Sequence, residues 1–361
     1  MKYSILLLLT LCISLQAAEE GFVYSSFTLN GEDGLHLLTS MDGRNWKPVQ
    51  NYRSMYKPAS GLMRDPSICL GGDGKYHMVW TTGWFEHTIG IAHSDNLKKW
   101  TPMKKLYLWA DYDGLGTEES DGSNWPKDLS MNAPRHPQIR NCWAPEIFYD
   151  SRTKEYVIFW ASTINNPKLF PKTWNPKRWE RMNHRIYYTT TKDFKTYTPR
   201  TFFYAPEDRL VIDSCICQVS PGDYRMIVKD EEKQALHTSF PTRKLDTWAT
   251  MPKDYWGPMS EKAFTGPGIQ PNPKKAEGQT VIKIGDEWLV YCDYWNAKDN
   301  GLFITRDFKT FKAENVKMPM WVRHGTVLKV PVKIIDDLHA STGDSLTVKI
   351  GTYKGAVYDA K

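Results

Sequence analysis

Read for residues that could do chemistry, the chain offers four carboxylates and one histidine in a recurring context. Asp65, Glu146, Asp213 and Glu277 each stand at the start of a short, largely apolar run, and His324 starts a fifth. Carboxyl groups paired across a pocket suit hydrolysis of a glycosidic bond. One acid protonates the leaving oxygen, and the other carboxylate activates water or attacks directly. The two need different protonation states at one pH, and a third carboxylate near the acid raises its pKa by like-charge repulsion. A lone Asp-Pro or Glu-Gly reads more simply as a turn. Four acids at matching places in a repeat favour the functional reading.

The elements that position these residues follow from the stretch Met63 to Pro102. Ser67 to Leu70 is a short apolar run. Gly71-Gly72-Asp73-Gly74 turns the chain, because glycine allows positive φ and aspartate tolerates it. Lys75 to Thr81 alternates and is rich in aromatic and β-branched residues, Ile89 to Ser94 reads as a third strand, and Trp100 falls in a short fourth. Four antiparallel strands in one short unit make a sheet of the kind that forms a propeller blade.

The unit recurs. Its second half reappears in Gly34 to Val49, Ile186 to Pro199, Leu236 to Met251 and Gly301 to Lys312, each an apolar strand, a Ser or Thr, a polar turn and an aromatic. Second strands are read at Tyr76 to Thr81, Tyr156 to Ala161, Tyr224 to Lys229, Trp288 to Asp293 and Phe22 to Phe27. First strands precede the first four. The N-terminal unit lacks one, and Gly325 to Val330 fits the gap. The expected fold is therefore all-β: a five-bladed propeller over residues 19–330, its last blade closed by N-terminal strands and a C-terminal strand. Closure removes the open edges that invite aggregation. Residues 331–361 are left as an extension packed on the propeller, with strand character at Lys333 to Ile335 and Leu346 to Ile350.

Three long connections interrupt the repeat: Lys104 to Asn141, Ser162 to His184 and Asp254 to Ala276. In such blades they emerge on the face where the first strands begin, and long loops in a compact domain are usually functional. They carry Trp109, Trp125, Trp174, Trp179 and Trp256. For stacking on sugar C–H faces the candidates are Trp84, Trp143 and Trp295, with core packing as the alternative for each.

Composition limits the partners. The net charge of +6 is scattered and forms no basic run of nucleic-acid type. Residues 1–18 read as a signal peptide. Lys2 precedes the apolar Tyr3 to Leu15, and Gln16-Ala17-Ala18 offers a cleavage site. The run is shorter than the ~20 residues of a spanning helix, so a secreted or periplasmic protein without a membrane span is expected. Beyond the signal lie Cys69, Cys142, Cys215, Cys217 and Cys292. An odd count leaves at least one free thiol. Cys215-Ile216-Cys217 reads as buried thiols rather than zinc ligands, so no metal set is read from the residues.

These motifs resemble those of glycoside hydrolase family 43, the five-bladed β-propeller glycosidases of the arabinofuranosidase and xylosidase type, over nearly the whole chain to Val330. Arg64-Asp65-Pro66 is similar to the first-blade motif, whose Asp is the general base. Trp143-Ala144-Pro145-Glu146 resembles a Trp-Ala-Pro-Asp that lines the sugar site. Ile212-Asp213 resembles Ile-Asp-Pro, whose Asp tunes and orients the acid. Glu277-Gly278 resembles Glu-Gly-Pro, whose Glu is the acid, and Arg323-His324-Gly325 resembles the last-blade histidine segment. Ser214 and Gln279 replace prolines, and Glu146 replaces an Asp. The resemblance implies a single-step inverting hydrolase in which Asp65, Asp213 and Glu277 are catalytic. Glu146, Trp143, Trp84, Trp295, His324 and Arg323 would bind carbohydrate. No cofactor is required, although family members often hold a calcium ion or water cluster on the axis, which here would lie near His324. A histidine hydrogen-bonded inside the pore is the other reading. The expected substrates are arabinofuranosyl, xylosyl or galactosyl linkages of plant or algal polysaccharide, attacked from the chain end. The alternative is a non-catalytic carbohydrate-binding propeller. A propeller for protein partners would need a rim patch that the sequence does not display.

Overall fold

A computed structural model of the chain describes residues 20–84, 86–109, 141–163, 171–173, 183–264 and 275–340. The chain enters through β1 (Glu20–Ser26), β2 (His36–Ser40) and β3 (Lys47–Pro48). The first blade follows as β4 (Arg64–Leu70), β5 (Tyr76–Thr81), β6 (Thr88–Ser94) and β7 (Lys104–Tyr107). The second is β8 (Trp143–Asp150), β9 (Glu155–Thr163), β10 (His184–Thr191) and β11 (Thr201–Tyr204). The third is β12 (Val211–Ser220), β13 (Asp223–Asp230) and β14 (Ala235–Ser239). The fourth is β15 (Ala276–Ile284), β16 (Glu287–Tyr294), β17 (Asp299–Thr305) and β18 (Lys312–Glu314). Finally β19 (Val327–Pro331) returns to β1 in antiparallel register, Val23 opposite Leu328, and completes the sheet β19-β1-β2-β3. The last blade is thus built from both ends of the chain, as the missing first strand required. The fold is an all-β, five-bladed propeller.

Each middle strand is apolar on both faces because each blade is covered on both sides. In β5, Tyr76, Met78 and Trp80 enter the core shared with the last blade, while Val79 enters the core shared with the second. In β9, Tyr156, Ile158 and Trp160 face the first blade, and Val157, Phe159 and Ala161 face the third. There are five such cores among the described residues, one for each pair of neighbouring blades, and so the ring closes. First strands of neighbouring blades touch around the axis: β4 with β8, β8 with β12, β12 with β15, and β15 with β19. Burial of this kind contributes roughly 25 cal/mol per Å² of apolar surface.

The polar turn of the repeat has a physical purpose. Asp42, Asn96, Asp193 and Asp307 each accept two backbone N–H groups from the next residues, and a Ser or Thr two positions earlier caps the same turn. The aromatic that follows does not sit in the fourth strand. Trp46, Trp100 and Phe311 come just before β3, β7 and β18, and point into or against the cores between blades. Trp100 only bridges Ser94, and the fourth strand of the first blade takes up Lys104 to Tyr107, the start of the first long connection.

Three further expectations are corrected. The third blade has three strands, because the segment around Trp248 forms a 3-10 turn instead of a fourth. Trp248 is fully buried between the second and third blades. Its Nε1 donates to Asp150 Oδ2 at 2.9 Å, and Glu155 accepts its backbone N–H at 3.0 Å. Those two carboxylates hold the segment in this turn. Next, Lys333 to Ile335 belongs to a helix, α1 (Val332–His339), not a strand. Ile335 and Leu338, three residues apart, enter the core between the last and first blades, and Lys333 pairs with Asp337 at 2.7 Å. Gly21 lets that helix approach, since a Cβ there would collide with Ile335. Leu346 to Ile350 lies outside the described residues, as do residues 1–18. Lastly, Trp109 and Trp256 are core residues, 2% and 6% exposed, rather than ligand platforms. Trp125, Trp174 and Trp179 lie outside the described residues. The five cysteines among the described residues are free thiols, and no helix among those residues is long and apolar enough to cross a membrane.

Removing residues 327–361 deletes β19 and leaves β1 with an unpaired edge. Soluble yield is expected to collapse, measured as the supernatant fraction after expression. A soluble monomer melting like the full chain would contradict closure by β19.

Candidate active site

The site begins with a backbone irregularity repeated in four blades. Asp65, Ala144, Asp213 and Gly278 have φ of 52°, 46°, 45° and 63°, and the pairing of the first strand to the second slips at each of these points. Left-handed φ in a residue other than glycine costs of order 1 kcal/mol or more. Hydrogen bonds within and between blades hold it. Thr81 Oγ1 donates to Asp65 Oδ2 at 2.8 Å and accepts the N–H of Ala144 at 2.9 Å. Gly278 N–H donates to Asp213 Oδ2 at 3.0 Å. Gly278 has a second constraint. A Cβ there would lie 2.7 Å from the Cβ of His324, so only glycine lets the last blade approach.

The bulge also sorts the four carboxylates by depth, which a uniform register could not do. Asp65 and Asp213 sit on the strained residue itself. Glu277 precedes it by one, while His324 lies ahead of β19, whose pairing shows no such slip. Glu146 follows Ala144 by two residues and so lies deeper along its strand. It is not at the strand mouth, as the sequence suggested. Glu146 accepts hydrogen bonds from Ser67 at 2.5 Å and Thr326 at 3.4 Å, and it faces a separate cavity of about 400 Å³.

His324 links these groups. Its Nδ1 lies 3.7 Å from Asp65 Oδ1 and 3.8 Å from Asp213 Oδ2, and its Nε2 lies 3.5 Å from Glu146 Oε1. Burial would lower its pKa, but Asp213, Glu146 and Asp65 outweigh burial and push it up to about 10. It is an imidazolium at neutral pH. Both its nitrogens face carboxylates, and no group of three His, Cys, Asp or Glu among the described residues could hold a metal ion. The ring supplies positive charge on the axis.

Above His324 opens a cavity of about 480 Å³ lined by Asp65, Asp213, Glu277, Arg323 and His324 together with Trp84, Trp143 and Trp295. Trp84 and Trp295 are 43% and 38% exposed at its rim. Trp143 Nε1 donates to the carbonyl of Trp84 at 2.7 Å, and the two indoles meet edge to face at 5.6 Å. All the proposed catalytic groups and every proposed binding residue except Glu146 thus converge on one pocket.

The electrostatics differ from expectation at Glu277. Burial would raise its pKa, but Lys229, whose Nζ is 3.0 Å from Oε2, outweighs burial. Arg323, 3.8 Å from Oε1, adds to this and holds the carboxyl below its ordinary value. Lys229 is 2% exposed on its side chain and also pairs with Glu231 at 3.1 Å. The raised values fall on the neighbours instead. Burial raises Asp213 to about 6 and Asp293 to about 8. Asp293 Oδ2 accepts the N–H of His324 at 3.0 Å, and its Oδ1 is buried without a partner among the described residues.

Lys229, Asp293 and Thr81 were missed as site residues, yet a signal was present. Each ends a second-strand run, and each second strand ends opposite the bulge of its first. A strand-end residue of unusual polarity is the mark that could have found them.

Asp293 binds a proton in the folded state that the unfolded chain has lost above its ordinary pKa. Stability should therefore fall as pH rises from about 4 to about 8. Asp293→Asn keeps the acceptor for His324 and removes the ionisation. The drop in melting temperature between pH 6 and pH 9 is expected to shrink in this variant. An unchanged drop would mean that Asp293 is ionised at neutral pH.

Comparison with known proteins follows the geometry. Residues 18–336 match a family described as a probable glycosyl hydrolase domain. Solved structures with a similar chain include a β-1,3-galactosidase of glycoside hydrolase family 43, with 12% identity over 72% of this chain and 48% of that one, TM-score 0.44. An exo-β-1,3-galactanase from Clostridium thermocellum shares 12% identity over 72% and 50%, TM-score 0.43. An α-L-arabinofuranosidase from Lactobacillus brevis shares 15% over 71% and 75%, TM-score 0.46. The chain spans about half the length of the first two. No curated protein matches it.

Proposed function

The chain belongs to the family of probable glycosyl hydrolase domains related to glycoside hydrolase family 43, and from that premise we propose that it is an exported, inverting glycoside hydrolase. Its substrates in this reading are arabinofuranosyl, xylosyl or galactosyl linkages of plant or algal polysaccharide, cleaved from the chain end. The observation that supports it best is the convergence of Asp65 and Glu277, from different blades, on one cavity with aromatic rims. Export rests on residues 1–18, and the first residue of the mature protein should be Glu19.

In the proposed reaction Asp65, oriented by Thr81, takes a proton from water. The water oxygen attacks the anomeric carbon as the glycosidic C–O bond breaks, and the leaving oxygen takes a proton from Glu277. Glu277 suits the donor role because its side chain is 22% exposed against 8% for Asp213. In the free protein Lys229 keeps it ionised, so its proton must arrive with the substrate. Asp293, which burial raises to about 8, holds a proton in the same network and is a source for it. The cycle closes when the proton on Asp65 returns to this network.

A second reading is favoured by one observation, the Lys229–Glu277 ion pair. A carboxylate locked in such a pair binds sugar hydroxyls as an acceptor and donates no proton. The protein would then be a carbohydrate-binding propeller. Product analysis on arabinan, arabinoxylan, xylan and galactan separates the two readings.

Asp65→Asn should lower turnover by at least ~10²-fold with little change in binding; near-normal turnover would remove the base assignment. Glu277→Gln should abolish hydrolysis of polysaccharide but spare much of it on a dinitrophenyl glycoside, whose leaving group needs no proton. If Asp213→Asn gives that pattern and Glu277→Gln does not, Asp213 is the acid.

A further inference from the structure

Most charges around the pocket cancel locally. Lys229 faces Glu277 and Glu231, and His324 faces Asp65, Asp213 and Glu146. Two guanidiniums are compensated less closely. Arg64 is 9% exposed and lies against the rings of Trp84 at 4.3 Å and Phe27 at 5.0 Å. Its Nη1 donates to Asn30 Oδ1 at 2.8 Å, and it forms no ion pair among the described residues. Arg323 lies over the same Phe27 ring at 4.6 Å. It donates Nη1 to the carbonyl of Leu29 at 2.7 Å, reaches Glu277 only at 3.8 Å, and leaves Nε buried with no acceptor among the described residues. Both line the 480 Å³ cavity.

A buried cation without a close counter-charge is costly, and two of them sharing one ring repel each other. Burial presses the pKa of Arg64 down, Asp65 opposes this, and Arg323 adds its repulsion. Aromatic faces offset part of that cost. Hydroxyls of a neutral sugar would accept hydrogen bonds here but bring no charge. A planar oxyanion would do both, because the guanidinium fork matches it at two points.

We propose that the pocket, read above as a carbohydrate site, takes a sugar unit bearing an oxyanion, a uronate carboxylate or a sulfate ester, gripped by Arg64 and Arg323. The polysaccharide is then acidic, and the anionic sugar lies beside the bond that Asp65 and Glu277 address. Binding falls as salt rises, since charge supplies the preference.

The test is calorimetric binding of D-galacturonate, D-galactose 6-sulfate and D-galactose to the full-length wild-type protein at low and high salt. At least one acidic sugar should bind at low salt about tenfold tighter than galactose or better, the scale of one charge-assisted hydrogen-bonded pair. Which of the two does so tells carboxylate from sulfate. The preference should shrink at high salt and in Arg64→Gln, with Arg323→Gln reporting the same loss if Arg64→Gln does not fold. Galactose binding as tightly as both acidic sugars overturns this proposal and leaves the carbohydrate site standing. A preference that survives both substitutions overturns the assignment to these arginines. Binding of none of the three removes the sugar site and the proposal together.

Discussion

One buried positive charge holds the centre of this propeller together. His324, from the last blade, is faced by Asp65 of the first, Glu146 of the second and Asp213 of the third. A unit charge pair at about 4 Å is worth on the order of 4 kcal/mol at an effective dielectric of about 20. Without the imidazolium, these carboxylates would meet across the axis with no counter-charge, and some would have to take up protons. The charge also sets where protons can be. It opposes the burial that raises Asp213 and Asp293, and it adds to Lys229 and Arg323 in holding Glu277 down. Much of the local geometry serves this contact. Gly278 is glycine because a Cβ would strike His324, and Asp293 accepts the histidine's backbone N–H.

The pocket is consequently a proton inventory as well as a shape. Glu277, reachable by substrate, is ionised, while the more deeply buried Asp213 and Asp293 have raised pKa values. Substrate that excludes water and disturbs the Lys229 contact would shift this balance toward Glu277. Function in this reading depends on how easily Lys229 yields. An unyielding Lys229 leaves a binding protein on the same fold.

Much of the fold was legible because period-two strands, turn residues and a repeated Ser/Thr-x-Asp turn are local signals. The gap in the N-terminal unit pointed to β19, since one blade lacked a first strand. What the sequence could not convey came from contacts between distant segments. Trp248 leaves the repeat to satisfy Asp150 and Glu155, and α1 forms because Ile335 and Leu338 find a core there. In the site, Asp65, Asp213, Glu277 and His324 were placed correctly at strand mouths. Glu146 was not, because a bulge shifts depth by whole residues and leaves no mark in composition. Lys229 and Asp293 were visible as strand ends, but their meaning required knowing which mouth each one faces.

Proton NMR of the first product released from the hydrolysed polysaccharide tests the central claim most directly, because stereochemistry reports how the two carboxylates share the work. If Asp65 activates water while Glu277 protonates the leaving oxygen, the first anomer to appear has the configuration opposite to the bond cleaved, and the other grows in only by mutarotation. Release with retained configuration, or no release from arabinan, arabinoxylan, xylan, galactan or their acidic counterparts, would contradict it.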